Sequence, residues 1–157
     1  FIHGQDRTPG LTRMILLDTN VLVKAWATQA SGHEEAKRVV AEAAQGELKA
    51  CVSAQNLWEF FSVITNPKKF DPPVTAKAAL DIIDALLATR IKVIMPTVAA
   101  MQKTLELLKV LCKTRGVEVF DVFLAATALE HGVKEIYTQN TKDFVGIPGL
   151  AVRNPFS

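Results

Sequence analysis

Short apolar runs alternate with longer amphipathic stretches along most of the chain, and this alternation predicts strands and helices in turn. Met14–Leu17 is apolar and ends in Asp18-Thr19-Asn20. This reads as a buried strand turning at once into a helix over Val21–Ala27, because Asp, Thr and Asn are helix-capping residues. Ser31 with Glu34 three positions on has the form of a capping box, opening a helix that runs to Gln45 and stops at Gly46. Leu48–Val52 predicts a second strand. Ser53 caps a helix over Ala54–Thr65, which Asn66-Pro67 ends. Thr75 starts a helix reaching Thr89, and Ile91–Met95 is a third strand. Helices follow over Val98–Lys113 and Phe120–His131, the second stopped by Gly132. Lys134–Thr138 is a fourth strand, Asn140–Phe144 a turn, and Leu150–Arg153 a fifth strand at a sheet edge. Strands alternating with helices predict an α/β fold: a central, mostly parallel sheet of four to five short strands between two helical layers. In such folds ligands bind outside the carboxyl ends of the strands.

With 157 residues, 49% of them hydrophobic, the chain suits one domain with a proper core rather than a disordered polymer. The expected division is residues 1–13 as a remnant or disordered extension and 14–157 as a single domain. The first segment is polar, has no periodicity and lacks the apolar centre of a signal peptide. No run approaches the ~20 apolar residues that span a bilayer. The net charge of +2 neither announces nor excludes a nucleic-acid binder. Cys51 and Cys112 form no C-x-x-C pair, so a zinc site or disulfide framework is not expected, and a cytoplasmic location is.

The rule for strand ends directs attention to acids. Asp18 follows the first strand and Asp143 comes shortly after the fourth. Glu59 lies two turns into the helix after the second strand, and Asp121 opens the helix over 121–131. Taken singly, each has an ordinary structural explanation: Asp18 caps a helix, Asp121 favours a helix N-terminus, Asp143 makes a turn and Glu59 is solvated. Glu59, however, stands among Leu57, Trp58, Phe60 and Phe61, where an unpartnered charge is costly. Converging carboxylates repel one another unless a hard cation joins them. Such an ion can activate water and stabilise charge on a phosphate.

Four stretches resemble the motifs of PIN-domain nucleases, in family order and over essentially all of Met14–Pro155. They are Asp18-Thr19-Asn20-Val21-Leu22 after an apolar strand, Ser53-Ala54-Gln55-Asn56-Leu57-Trp58-Glu59-Phe60, Phe120-Asp121-Val122-Phe123-Leu124-Ala125-Ala126-Thr127-Ala128, and Tyr137-Thr138-Gln139-Asn140-Thr141-Lys142-Asp143-Phe144. The resemblance implies a PIN-like three-layer α/β/α fold and hydrolysis of RNA dependent on Mg²⁺ or Mn²⁺. It makes Asp18, Glu59, Asp121 and Asp143 the catalytic, metal-binding acids, supported by Asn20, Thr138 and Asn140. Size and the lack of extra domains are most like VapC-type toxins, which implies a small antitoxin partner and a homodimer, with no membrane.

Lys24, Lys68, Lys69, Arg115 and Lys142 are candidate RNA contacts because they lie near motifs or in loops, and Phe70 is a candidate for base stacking. Trp26 and Trp58 are expected in the core or at an interface rather than under RNA. Val39, Val40 and Ala43, and Leu80, Ile83 and Leu87, suit helix packing or a subunit contact. His3, His33 and His131 form no ligand pair. Rival readings are a phosphatase of the haloacid dehalogenase type, which wants an acid where Asn20 stands, a response-regulator receiver, which wants paired acids and a lysine, and a catalytically silent PIN-like binding module.

Overall fold

The structure, a computed structural model, describes residues 13–111 and 118–157. Cys112 and Arg115 lie outside the described residues, as does the expected remnant apart from Arg13. Five strands, β1 (Ile15–Leu17), β2 (Ala50–Ser53), β3 (Lys92–Ile94), β4 (Glu135–Tyr137) and β5 (Ala151–Arg153), form one sheet in the order β3-β2-β1-β4-β5. Every pairing is parallel, with β1 central between β2 and β4 and β5 at an edge. Helices α1 (Thr19–Trp26), α2 (His33–Gln45), α3 (Ala54–Ile64), α4 (Ala76–Leu87), α5 (Val98–Leu111) and α6 (Glu118–Glu130) connect them.

The continuous apolar runs of β1 and β2 follow from burial on both faces. Ile15, Leu17, Ala50 and Val52 belong to a core cluster shared with α1, α2, α3 and α4, whereas Leu16 and Cys51 belong to a second one with α5 and α6. Side chains alternate across a strand, so each short strand feeds both cores. This is the expected three-layer arrangement. Among the described residues no helix is long and apolar enough to cross a membrane.

The chain builds β1, β2 and β3 outward in one direction, then returns to lay β4 on the other side of β1. The crevice of an open α/β sheet opens where the order reverses, between β1 and β4. Asp18 and Thr138 are the first residues beyond the carboxyl ends of these two strands.

Helix starts follow local chemistry in most places. Asp18 caps α1 and Thr75 caps α4. Ser53 caps α3 in a reciprocal box: its Oγ accepts from the Asn56 N–H at 3.1 Å, and Asn56 Oδ1 accepts from the Ser53 N–H at 2.9 Å. Such a cap contributes about 1 kcal/mol.

One expectation fails and another holds only in part. Ser31 does not cap α2. The cap is Gly32, at φ 82°, with no side-chain bond, while the Ser31 carbonyl accepts from Lys24. A left-handed residue at that turn favours glycine, and a Cβ there would also meet the Phe156 ring at 3.0 Å. On α4, Ile83 is buried as expected, but its buried companions are Ala79 and Leu86. Leu80 and Leu87 are about half exposed. The helix is apolar on more than one side, so spacing did not reveal which stripe faces the core.

Candidate active site

Asp18 ends β1 and caps α1, which pins its carboxylate at the crevice. Its backbone N–H donates to the Tyr137 carbonyl at 3.0 Å, tying it to β4. One carboxylate oxygen, Oδ1, accepts from the Thr19 N–H at 2.8 Å; the other, Oδ2, accepts from the Thr138 hydroxyl at 2.8 Å and from Asn20 Nδ2 at 3.1 Å. Asn20 Nδ2 also donates to Thr138 Oγ1, and Asn20 Oδ1 accepts from the Gln139 N–H at 3.0 Å. Asn20 and Thr138 thus clamp Asp18 from segments more than a hundred residues apart. Asn140 contributes through its backbone, donating its N–H to Thr138 Oγ1 at 3.1 Å.

Glu59 reaches the same place from α3. Its Oε2 accepts from the Thr19 hydroxyl at 2.8 Å, and its Oε1 accepts from Gln55 Nε2 at 2.9 Å. Buried Asn56 donates from Nδ2 to Thr19 Oγ1 at 3.1 Å and to Asp18 Oδ1 at 3.5 Å. Gln55 also donates to the Phe120 carbonyl at 3.4 Å, which docks the first turn of α6, and Asp121 with it, beside α3. Asp143 lies exposed in the single turn Thr141–Asp143 after β4, close enough to Asp18 to raise its pKa through space.

Thr19, Gln55 and Asn56 carry this network, and sequence reasoning assigned them no role. Their signal was available: all three stand inside the motifs named above, one, four and three places from an acid.

The candidate basic residues separate. Lys142 is exposed next to Asp143, in the same turn. Lys24 is instead held in the last turn of α1, donating from Nζ to the Ser31 carbonyl and standing 5.2 Å from the centroid of the Phe156 ring. Lys68 and Lys69 follow the C-terminal end of α3, which lies five residues, about 8 Å along the helix axis, beyond Glu59 at 1.5 Å per residue. Phe70 is partly buried and packs against the first core cluster. His33 Nδ1 pairs with the Lys24 carbonyl and His131 Nε2 with the Met95 carbonyl, both away from the acids.

The electrostatics are one-sided. Asp18 is 8% exposed. Burial raises its pKa above the ordinary 3.8; the bonds from Thr138 and the Thr19 N–H oppose the rise, and Glu59 and Asp143 add to it. Among the described residues neither Asp18 nor Glu59 is within ion-pair distance of a Lys, Arg or His. Every hydrogen-bond donor found on the two carboxylates is neutral. As the side chains stand, no three His, Cys, Asp or Glu among the described residues gather closely enough to hold a metal ion. The donor set nevertheless fits a hard divalent cation: oxygen ligands, surplus negative charge, and second oxygens oriented by hydroxyl and amide donors.

A raised acid pKa has a definite linkage sign. The folded state holds the Asp18 proton more tightly than the unfolded chain does. The corresponding stability is full below 3.8 and is lost as pH rises through the folded value. In EDTA, the melting temperature of Asp18→Asn is therefore expected to improve relative to the parent as pH goes from about 4 to about 7. Thermal melts of both proteins check this, and a constant difference would mean that Asp18 carries no burial penalty.

A family model, described as the PIN domain, matches residues 15–149. Among solved structures, the chain is similar to a toxin–antitoxin complex from Klebsiella pneumoniae, with TM-score 0.63 and 23% identity over 91% of this chain and 98% of that one. It is also similar to DNA-bound VapBC from Salmonella typhimurium, with TM-score 0.66 and 18% identity over 91% and 98%. VapC20 from Mycobacterium tuberculosis, a sarcin–ricin-loop-cleaving toxin, has TM-score 0.62 and 18% identity over 87% and 98%. No curated protein matches in sequence. At these identities the solved structures speak for the fold, and the family model spans most of the chain: this protein belongs to the PIN-domain family.

Proposed function

We infer that the protein is an endoribonuclease that hydrolyses RNA phosphodiester bonds with the help of Mg²⁺ or Mn²⁺. One observation carries the reading: a buried carboxylate, Asp18, stands at the switch point of the sheet, held among the described residues only by neutral donors and raised in pKa by its burial, to which Glu59 and Asp143 add. Such a group is destabilising unless a cation joins it. Asp18, Glu59, Asp121 and Asp143 are the residues that would hold the ion. When bound, it supplies Lewis acidity, lowering the pKa of water and neutralising charge on the phosphate.

The protein's own groups do the positioning. Thr138 and Asn20 fix the orientation of Asp18 and leave its charge intact. The Thr19 hydroxyl, accepting from Asn56 and donating to Glu59, keeps Glu59 an acceptor. Lys142, exposed beside Asp143, is the group proposed to meet the RNA backbone. The phosphatase reading loses its second acid, because both ends of the Asn20 amide are committed to Asp18, Thr138 and Gln139.

Within this reading the protein is the toxin of a toxin–antitoxin pair, a role supported by folds shared with toxin–antitoxin complexes. A homodimer is supported by the aliphatic stripe on α5, where Val98, Met101 and Leu105 are all more than half exposed at helical spacing. The test is cleavage of single-stranded RNA in Mg²⁺ or Mn²⁺, stopped by EDTA and restored by excess metal. RNA left intact under all these conditions would leave a silent binding module as the better reading.

A further inference from the structure

The outer stripe of α3 contains Gln55, Trp58, Glu59 and Ser62, spaced three and four residues apart so that they share one helix face. The opposite side, with Leu57, Phe60 and Ile64, is buried. Trp58 is 63% exposed, an unusual setting for so large an apolar side chain. Phe120, on the first turn of α6, is 58% exposed, and its carbonyl is bonded to Gln55, which also holds Glu59. Two open aromatic rings therefore stand at one rim of the acidic site, each immediately before one of its acids in sequence.

We propose that Trp58 and Phe120 form a stacking surface for unpaired RNA bases flanking the scissile phosphate. This rests on the ribonuclease reading and deepens it to a substrate class: single strands or loops whose bases are free to leave the helix. Stacking on aromatic faces is how proteins hold such bases, and it tolerates any base because every base has a π-face. A second copy of the chain is the other occupant such a surface could take. The polar company argues against it, because interface cores are depleted of charge and Glu59 lies inside this patch. The exposed aliphatic stripe of α5 is the better candidate for a subunit contact.

The experiment measures binding of single-stranded oligoadenylate in EDTA at low salt, so that affinity is read apart from cleavage. Binding should quench tryptophan emission from Trp58. Trp26 is partly buried, in edge contact with Phe60 at 5.5 Å, and should respond little. Trp58→Ala and Phe120→Ala are each expected to weaken binding by roughly 5- to 150-fold, the range of one lost stack. Trp58→Phe should bind nearly as well as the parent while losing the quenched emission. Both positions are exposed, so melting temperatures should barely move. Unchanged affinity in both alanine variants overturns the proposal. So does a change in subunit number by light scattering, which would assign the surface to a second copy. If the parent binds as expected but never cleaves RNA with metal, the ribonuclease reading fails by itself. If it cleaves while the variants bind normally, only the stacking surface fails.

Discussion

RNA cleavage by Asp18→Asn and Asp121→Asn is expected to fall by at least about 10³-fold, roughly 4 kcal/mol of transition-state stabilisation at 1.36 kcal/mol per decade, with cooperative melting retained. Asparagine keeps the size of the side chain and removes its charge. At position 18 it also places a donor toward Thr138 and Asn20, which already direct donors at that oxygen. A cation gains far less from an amide than from a carboxylate. Thr138→Val provides the contrast. It removes the orienting hydroxyl but spares the acid, and a loss of about 10- to 100-fold is expected, the usual cost of disturbing the partner of a metal ligand. Steady-state cleavage of a labelled RNA in Mn²⁺ ranks the three. Wild-type turnover in Asp121→Asn would remove that residue from the site, and equal losses in Thr138→Val and Asp18→Asn would mean that orientation matters as much as charge.

Phe60→Ala is expected to destabilise the protein by about 3–5 kcal/mol, the range for deleting a fully buried aromatic ring. Phe60 has no exposed surface and sits in the core cluster under α1 and α3, its ring edge-on to Trp26. For a chain of this length that corresponds to a drop in melting temperature of very roughly 6–20 °C. Its neighbours in sequence make the comparison exacting. Phe60 lies next to Glu59 and two residues from Trp58, yet substitutions at those exposed positions should change stability by no more than about 0.5 kcal/mol. Urea titrations of the three alanine variants measure this directly. A small effect at Phe60 would show that the core relaxes around the cavity, so that α1 and α3 are less tightly coupled than their packing indicates.

Local chemistry was legible along the chain, and tertiary choice was not. All five strands were anticipated to within about two residues at each end, because apolar runs bounded by capping residues and prolines leave few alternatives. The error at Ser31 came from a competition that sequence does not display. Its side chain could have capped α2, but the turn adopted there required a left-handed residue, and Gly32 supplies one without a Cβ to strike Phe156. Leu80 and Leu87 stay out of the core for another reason: α4 offers two apolar stripes, and only the position of its neighbours chooses between them.

The acids themselves, their order and the motifs around them were present in the residues before any folding. So was the parallel α/β class, since the order of strands and helices along a chain survives folding unchanged. What the residues could not specify was which strands become neighbours. That depended on β4 returning to the free side of β1, a choice made by how the two apolar faces of the sheet are covered. The bond from Thr138 to Asp18 spans 120 residues, and the one from Thr19 to Glu59 spans 40. Exposure was likewise decided in three dimensions. Trp58 and Phe60 are two places apart on one helix, and which of them meets water depends on where α1 lies.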